Sequence, residues 1–92
     1  MFIKTKIWTN DYYDFEYEKH SEIYLNVNHI MWFEEMHEVQ QITDINNKYT
    51  FKNYEVRPIR LINGESYVVL EKDFERLITE GMDDDTLKEL YL

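Results

Sequence analysis

Apolar and polar residues near the start of the chain indicate extended structure. In FIKTKIW, Phe2, Lys4, Lys6 and Trp8 fall on one face and Ile3, Thr5 and Ile7 on the other, which predicts a first strand with mixed faces. In the next stretch, NDYYDFEYEKHSE, rings and carboxylates take alternate positions, as Tyr13, Phe15 and Tyr17 against Asp14, Glu16 and Glu18. This period of two predicts a second strand or an extended arm, with its rings in the core and its carboxylates in water.

The middle of the chain contains short apolar runs separated by polar residues. EIYLNVNHIMWFEEM predicts one or two buried strands, with Asn26 and Asn28 as turn points. EVQQIT is a weaker strand candidate, and DINNK is typical of a turn because Asp and Asn side chains bond their own backbone. YTFKNYEV alternates again and predicts a strand that points Tyr49, Phe51 and Val56 inward.

Stronger signals follow towards the C-terminus. Asn63 and Gly64 join two apolar runs in PIRLINGESYVVL, and this dipeptide favours a type I′ hairpin turn. EKDFERLITEGM predicts an amphipathic helix ending near Gly81. Its apolar stripe consists of Leu70, Phe74, Leu77 and Ile78. DDDTLKELYL predicts a second short helix, capped by Asp83 or Asp84, with Leu87, Leu90 and Tyr91 facing inward.

The length of 92 residues fits a single domain, 1–92, and the 5 Phe, 8 Tyr and 2 Trp supply large rings for a small core. The predicted fold class is α+β. It consists of a small antiparallel β-sheet or partly open barrel followed by one or two short C-terminal helices.

Charge limits the partners that the chain can bind. Nineteen acids against ten bases give a net charge of −9, which repels nucleic acid and anionic membranes. The acids concentrate in residues 11–22 and 71–89, whereas residues 48–60 are basic. There is no Cys and no apolar run of the roughly 20 residues that span a membrane. We therefore expect a cytoplasmic protein that binds neither nucleic acid nor membrane directly, although ordinary solubility also explains the charge.

The sequence lacks the spacings of known catalytic and metal-binding motifs. The histidines His20, His29 and His37 do not have the spacing of a zinc motif. DINNKYTFKNYE fails as a calcium loop because its fifth position is Lys48 and its sixth, where the loop needs glycine, is Tyr49. No glycine-rich phosphate loop or nucleophile elbow is present. The sequence therefore predicts a non-enzymatic protein with no metal and no cofactor.

Two segments carry a family resemblance. EIYLNVNHIMWFEE is followed at a distance by IRLINGESYVVLEKDFERLI, a strand, turn, strand and short helix. Over residues 22–78 this order resembles the small flagellar FlbD/SwrD family. The resemblance implies a small β-rich fold and a cytoplasmic adaptor or regulator that binds another protein through its sheet edge.

The acidic stretches suggest a different function. Residues of one parity on a strand lie about 6.6 Å apart, comparable to successive phosphates on a nucleic-acid strand. The chain would then mimic nucleic acid and block the basic groove of a nucleic-acid-binding protein, such as a CRISPR effector nuclease. In size and charge the chain is similar, as a class, to small acidic anti-CRISPR proteins of phages and mobile elements. If it is phage-encoded, the protein would act in the host-cell cytoplasm. The predicted contact residues are Asp11, Tyr13, Asp14, Glu16, Tyr17, Glu18, Glu22, Asp83, Asp84 and Asp85.

Overall fold

The computed structural model describes residues 2–81, which form six strands, one α-helix and three single 3₁₀ turns. The strands are β1 Phe2–Ile7, β2 Ser21–Asn26, β3 Ile30–Phe33, β4 His37–Ile45, β5 Lys48–Leu61 and β6 Ser66–Leu70. The helix α1 is Glu71–Gly81, and the 3₁₀ turns are Tyr12–Asp14, Tyr17–Lys19 and Val27–His29. The α+β fold class, with antiparallel sheets before a C-terminal helix, is confirmed. The second predicted helix lies outside the described residues.

β5 is the centre of the larger sheet because it pairs with three other strands, all antiparallel. Its Val56 pairs with His37 of β4 on one edge and with Leu70 of β6 on the other. β3 pairs further along on the same edge as β4. β1 and β2 form a separate antiparallel pair, linked to β6 by the Trp8–Val68 bridge. The strands of residues 2–81 therefore form two sheets and do not close into a barrel.

The main core lies between α1 and the two sheets. Phe74, Leu77 and Ile78 of the helix are buried, as their spacing predicts. They pack in one cluster with Ile3, Ile7, Leu25, Val27, Ile59, Leu61 and Val69. Because burial of one such side chain contributes about 1.5–3 kcal/mol, this cluster is the principal source of stability.

A second, smaller cluster lies on the opposite face of β5. Val56 and Ile59 are three positions apart on this strand and therefore point to opposite faces. The cluster consists of Trp8, Phe15, Val56, Val68 and Leu70. Leu70, the first residue of the predicted helical stripe, is thus buried in this cluster and lies on β6, one residue before α1.

An ion pair attaches the first residue of α1 to β5. Arg57 donates from Nε and Nη2 to the two carboxylate oxygens of Glu71, each at 2.7 Å. Its guanidinium carbon also lies 4.4 Å from the ring centre of Phe74. Both charged side chains are largely removed from solvent, at 17% and 14% exposure, so this two-bond pair is stronger than an ordinary surface ion pair.

The β4–β5 hairpin projects from this body as a two-stranded ribbon. β6 begins to pair with β5 only at Val56, so in the described part of the chain residues 48–53 pair with β4 alone. We call residues 40–53 the arm. The arm lengthens the molecule to 52 × 26 × 19 Å and gives a radius of gyration of 14.7 Å, against roughly 12 Å for a compact domain of this size.

The two hairpin turns are of different types. Asn46 and Asn47 form the predicted DINNK turn, and their φ angles of 53° and 63° between the paired Ile45 and Lys48 are those of a type I′ turn. The predicted type I′ turn at Asn63–Gly64 is wrong.

At Asn63–Gly64, Gly64 N–H donates to the Leu61 carbonyl and only Gly64 has positive φ. This pattern is a type I turn closed by a glycine bulge, because the loop contains one residue more than a type I′ turn allows.

Tyr49 and Phe51 do not point inward, and that prediction is wrong. Both lie in the arm and are 65% and 62% exposed, whereas Val56 on the same strand is fully buried as expected. The alternation correctly predicts a strand. The alternation fails to predict burial, because β6 pairs with β5 only from Val56 onward. No described element covers Tyr49 and Phe51 in the part of β5 before that residue.

Candidate functional site

Residues 10–20 do not form the predicted strand. The chain folds into two 3₁₀ turns, in which Asp14 N–H donates to the Asp11 carbonyl at 2.9 Å and Lys19 N–H to the Glu16 carbonyl at 3.0 Å. The turns abolish the period of two, so Asp14, Glu16 and Glu18 are not an evenly spaced row. The resemblance to a line of phosphates that rested on that spacing is therefore wrong.

Packing against the second cluster explains why the segment folds in this way. The Phe15 ring lies 4.7 Å from Trp8 and is buried, and Trp8 Nε1–H donates to the Glu16 carbonyl at 2.8 Å. Tyr17 stacks on Tyr54 at 5.0 Å with an interplanar angle of 11°. These contacts bring the Glu16 carbonyl and the Phe15 ring against Trp8 and the Tyr17 ring against Tyr54. A flat strand could not make all three contacts at once.

The three aromatic residues have different exposures, although their alternation predicts a shared burial. Phe15 is buried and Tyr17 is half-buried, but Tyr13 is 78% exposed. The expectation that all three rings enter the core is therefore correct for Phe15, partly correct for Tyr17 and wrong for Tyr13.

The predicted acidic contact residues of this region are exposed, and most have local partners. Glu16 Oε2 lies 3.1 Å from Lys19 Nζ, and Glu18 accepts a long 3.5 Å bond from Gln41. Glu22, which belongs to β2, lies 3.2 Å from Lys4 Nζ, and the pKa of Lys4 is raised by this hydrogen bond and charge. Asp11 and Asp14 are exposed. Asp83, Asp84 and Asp85 lie outside the described residues, so the two acidic stretches are not brought together here.

The histidines lie in three separate packing environments. His37 stacks on Tyr12 with ring centres 4.0 Å apart, His20 Nδ1 is 3.0 Å from the Tyr17 carbonyl oxygen, and His29 packs edge-on against Phe2. Within residues 2–81, no group of three or more His, Asp or Glu residues is arranged to hold a metal ion. The same residues contain no helix long and apolar enough to cross a bilayer.

The arm has two chemically distinct faces. Residues directly opposite each other on paired strands share a face, so the unbroken β4–β5 register assigns every side chain. One face, which we call the basic face, carries Val39, Gln41, Thr43, Ile45, Lys48, Thr50, Lys52 and Tyr54. The other, the acidic face, carries Glu38, Gln40, Ile42, Asp44, Tyr49, Phe51, Asn53 and Glu55.

The segment 10–20 covers the base of the basic face. Tyr17 stacks on Tyr54, its N–H donates to Gln41 Oε1 at 2.8 Å, and Tyr12 stacks on His37. In the described structure no comparable segment lies over the acidic face, on which all eight side chains are exposed.

The acidic face combines apolar and negative groups. Ile42 and Phe51 are direct cross-strand partners, 56% and 62% exposed, and Tyr49 next to them is 65% exposed. At its base Glu38 lies directly opposite Glu55. Like charges at opposed positions destabilise a sheet, so this pair weakens the free protein.

The sequence contains a signal for this face in the positions on either side of the Asn46–Asn47 turn. Ile42 and Phe51 lie at equal distances from the Asn46–Asn47 turn, as do Asp44 and Tyr49. Pairing outward from that turn would have placed these four side chains on one face. What remains invisible in the sequence is that no other element packs against it.

Comparison with protein-family models, with curated proteins and with solved structures found no match to this chain.

Proposed function

We propose that this chain is a small non-enzymatic inhibitor, of the kind that phages and mobile elements direct against host proteins. Its target is the basic groove in which a host protein holds nucleic acid, and a CRISPR effector nuclease in the host cytoplasm is one example. The acidic face of the arm enters that groove. The observation that carries the proposal is the exposed group Ile42, Tyr49 and Phe51 beside carboxylates, on a face without a cation.

The exposed apolar group supplies affinity. Side chains of this size contribute about 1.5–3 kcal/mol each when they pass from water into a fully buried environment. Contiguous exposed apolar groups rimmed by polar residues mark interaction surfaces on small proteins. Tyr49 is also of a residue type enriched at the energetic centres of interfaces. A projecting arm can place these groups in a cleft that the globular body could not enter.

The carboxylates supply direction and speed. Glu38, Asp44 and Glu55 flank the apolar group, and the chain as a whole carries −9. A field of this sign accelerates encounter with a positively charged cleft and rejects anionic competitors. A lysine or arginine of the partner would also attract both Glu38 and Glu55. Its charge would offset the repulsion between these carboxylates that is present in the free protein.

The acids of residues 11–22 have a secondary part in this proposal. Glu16 and Glu22 are held by Lys19 and Lys4. They add to the long-range field, but neither belongs to the acidic face of the arm. We therefore assign the contact with the partner to the acidic face and not to residues 11–22.

Affinity capture from the native host, followed by nucleic-acid competition, tests the proposal. Wild-type protein should retain basic nucleic-acid-binding proteins, which single- or double-stranded DNA or RNA should displace, and retention should fall steeply with salt. Phe51→Ser should abolish retention. Tyr24→Ser is the matched control, because Tyr24 is an equally exposed ring, at 67%, on β2.

Two results would overturn the assignment. One is retention that persists in the presence of nucleic acid. The other is loss of retention in Asp14→Asn/Glu16→Gln/Glu18→Gln with full retention in Phe51→Ser, which would return the contact to residues 10–20.

A second candidate is the adaptor role implied by the resemblance to the FlbD/SwrD family. The open edge of β5 along residues 48–53, unpaired by β6, favours it, because an extended peptide can add to such an edge. An adaptor of this kind binds through backbone hydrogen bonds, so its complexes should tolerate salt and the Phe51→Ser change. Salt dependence therefore separates the two functions.

A further inference from the structure

Five of the nine cations in residues 2–81 line two adjoining cavities, which we together call the groove, although the protein is strongly acidic. The groove lies where β6 ends and α1 begins. One part, of about 360 Å³, lies along the edge of β5 and includes Lys52 and Tyr17. The other, of about 320 Å³, lies over β1 and includes Lys6. Leu70 and Lys72 line both parts, so the two parts adjoin at these residues.

Three of these lysines act on the Tyr17 side chain. Lys6 Nζ donates to Tyr17 Oη at 2.9 Å, and Lys52 Nζ lies 5.9 Å from the centre of the same ring. The hydrogen bond from Lys6 and its charge lower the pKa of Tyr17, and the charges of Lys72 and Lys52 lower it further. The three cations come from β1, β5 and α1, so the fold, and not a local run of sequence, brings them together.

These lysines have no carboxylate partner within salt-bridge distance among residues 2–81. Four carboxylates also line the groove. Glu71 is bonded to Arg57 and Glu22 to Lys4. Asp73 and Glu55 form no ion pair with these lysines, although the charges of Glu22 and Asp73 contribute to the raised pKa of Lys6. In a chain with nearly twice as many acids as bases, three ammonium groups without a carboxylate partner at salt-bridge distance form a local positive group that an anion would neutralise.

We propose that Lys6, Lys52, Lys72 and Tyr17 form a binding site for a small phosphate-bearing molecule. Both parts of the groove are within the size range of ligand pockets. Ammonium groups bind phosphate oxygens through charge-assisted hydrogen bonds, and the Tyr17 hydroxyl can donate to a further oxygen. Lys4 and Arg76 extend the positive charge over β1. None of the four binding groups belongs to the acidic face, although Asn53 and Glu55 of that face line the same cavity.

Calorimetric titration with inorganic phosphate, pyrophosphate and adenosine monophosphate tests the site. We expect saturable binding at low salt and a roughly tenfold or larger loss of affinity in Lys72→Gln and in Lys52→Gln, since a hydrogen bond to a charged group contributes about 1.5–3 kcal/mol. Lys48→Gln is the matched control, because Lys48 lies on the same face of β5 as Lys52 but outside the groove. Preference for the nucleotide over pyrophosphate would show that the ligand's base also contacts the groove.

A second readout is the titration of the Tyr17 ring, followed by nuclear magnetic resonance with labelled tyrosine. A bound phosphate counteracts the lysine charges, so the pKa of Tyr17 should rise when pyrophosphate is added and should not rise in Lys72→Gln. The site is refuted if none of the three probes binds, or if Lys48→Gln weakens binding as much as Lys52→Gln. Binding of an oligonucleotide without binding of any small phosphate also refutes it.

Discussion

Ile59 and Phe51 lie eight residues apart on the same side of β5, yet Ile59 is 1% exposed and Phe51 is 62% exposed. Around Ile59 the strand has β6 on one edge and β3 on the other, and α1 packs over its face. Around Phe51 it has β4 alone. Similar alternation therefore produces a core in the body and an exposed surface in the arm, and the difference lies in what covers the strand.

The comparison separates stability from recognition. The body contains the buried clusters and the Arg57–Glu71 pair, which hold α1 on the sheets. The arm contributes little to folding, because its apolar groups remain in water. Side chains that do little for stability but stay exposed and apolar are those expected to act in binding.

Truncation of one aliphatic side chain in each region should give the largest contrast. Leu77→Ala, at a fully buried position, should lower the free energy of unfolding by about 2–5 kcal/mol through lost contacts and a cavity. Ile42→Ala, at 56% exposure, should lower it by less than about 1 kcal/mol. Urea unfolding measures both, and comparable losses would contradict the division into body and arm.

Loss of the ion pair at the start of α1 should have the next largest effect. Glu71→Gln should cost about 1–3 kcal/mol, because the largely buried Arg57 loses the two charge-assisted hydrogen bonds that it donates to the Glu71 carboxylate. Glu75→Gln is the control, since Glu75 is an exposed carboxylate on the same helix. If the two variants unfold at the same urea concentration, the pair has no stabilising role.

The turn at the tip should affect the arm and leave the body unchanged. Asn47→Ala should destabilise the hairpin by about 1–2 kcal/mol, because alanine resists the φ of 63° that asparagine and glycine accept. Amide exchange should speed up in residues 40–53 only, and Asn47→Gly should restore protection. Equal acceleration in β1 and α1 would mean that the arm and body unfold as one unit.

Removal of one opposed carboxylate should give the smallest change. Glu38→Gln should stabilise the protein by about 0.2–1 kcal/mol at neutral pH, because it removes the repulsion from Glu55. The gain should shrink as salt is added, since exposed charges are screened. A loss of stability at low salt would show that the two carboxylates do not repel one another in the free protein.

Local signals in the sequence predicted the elements more reliably than their surroundings. The helix at Glu71–Gly81 followed from its apolar stripe, and the strands around Asn26 and Asn28 followed from dense apolar runs separated by turn residues. The expected burial of the second of these strands is wrong, because Met31, Trp32 and Phe33 of β3 are exposed. The failures share a cause. Residues 10–20 alternate like a strand, but Trp8, Gln41 and Tyr54, distant in sequence, offer contacts that two 3₁₀ turns satisfy better.

By itself, the sequence determined the α+β class, the helix stripe, the turn positions and the negative charge, because each depends on residues close together or on simple counts. Tertiary structure alone decided which apolar side chains stay exposed to water and which cationic side chains lie close together. Exposure of Phe51 depends on where β6 ends, and the meeting of Lys6, Lys52 and Lys72 depends on how β1, β5 and α1 pack. Such relations between distant segments leave no mark in any local pattern, so both candidate binding surfaces became visible only in the folded chain.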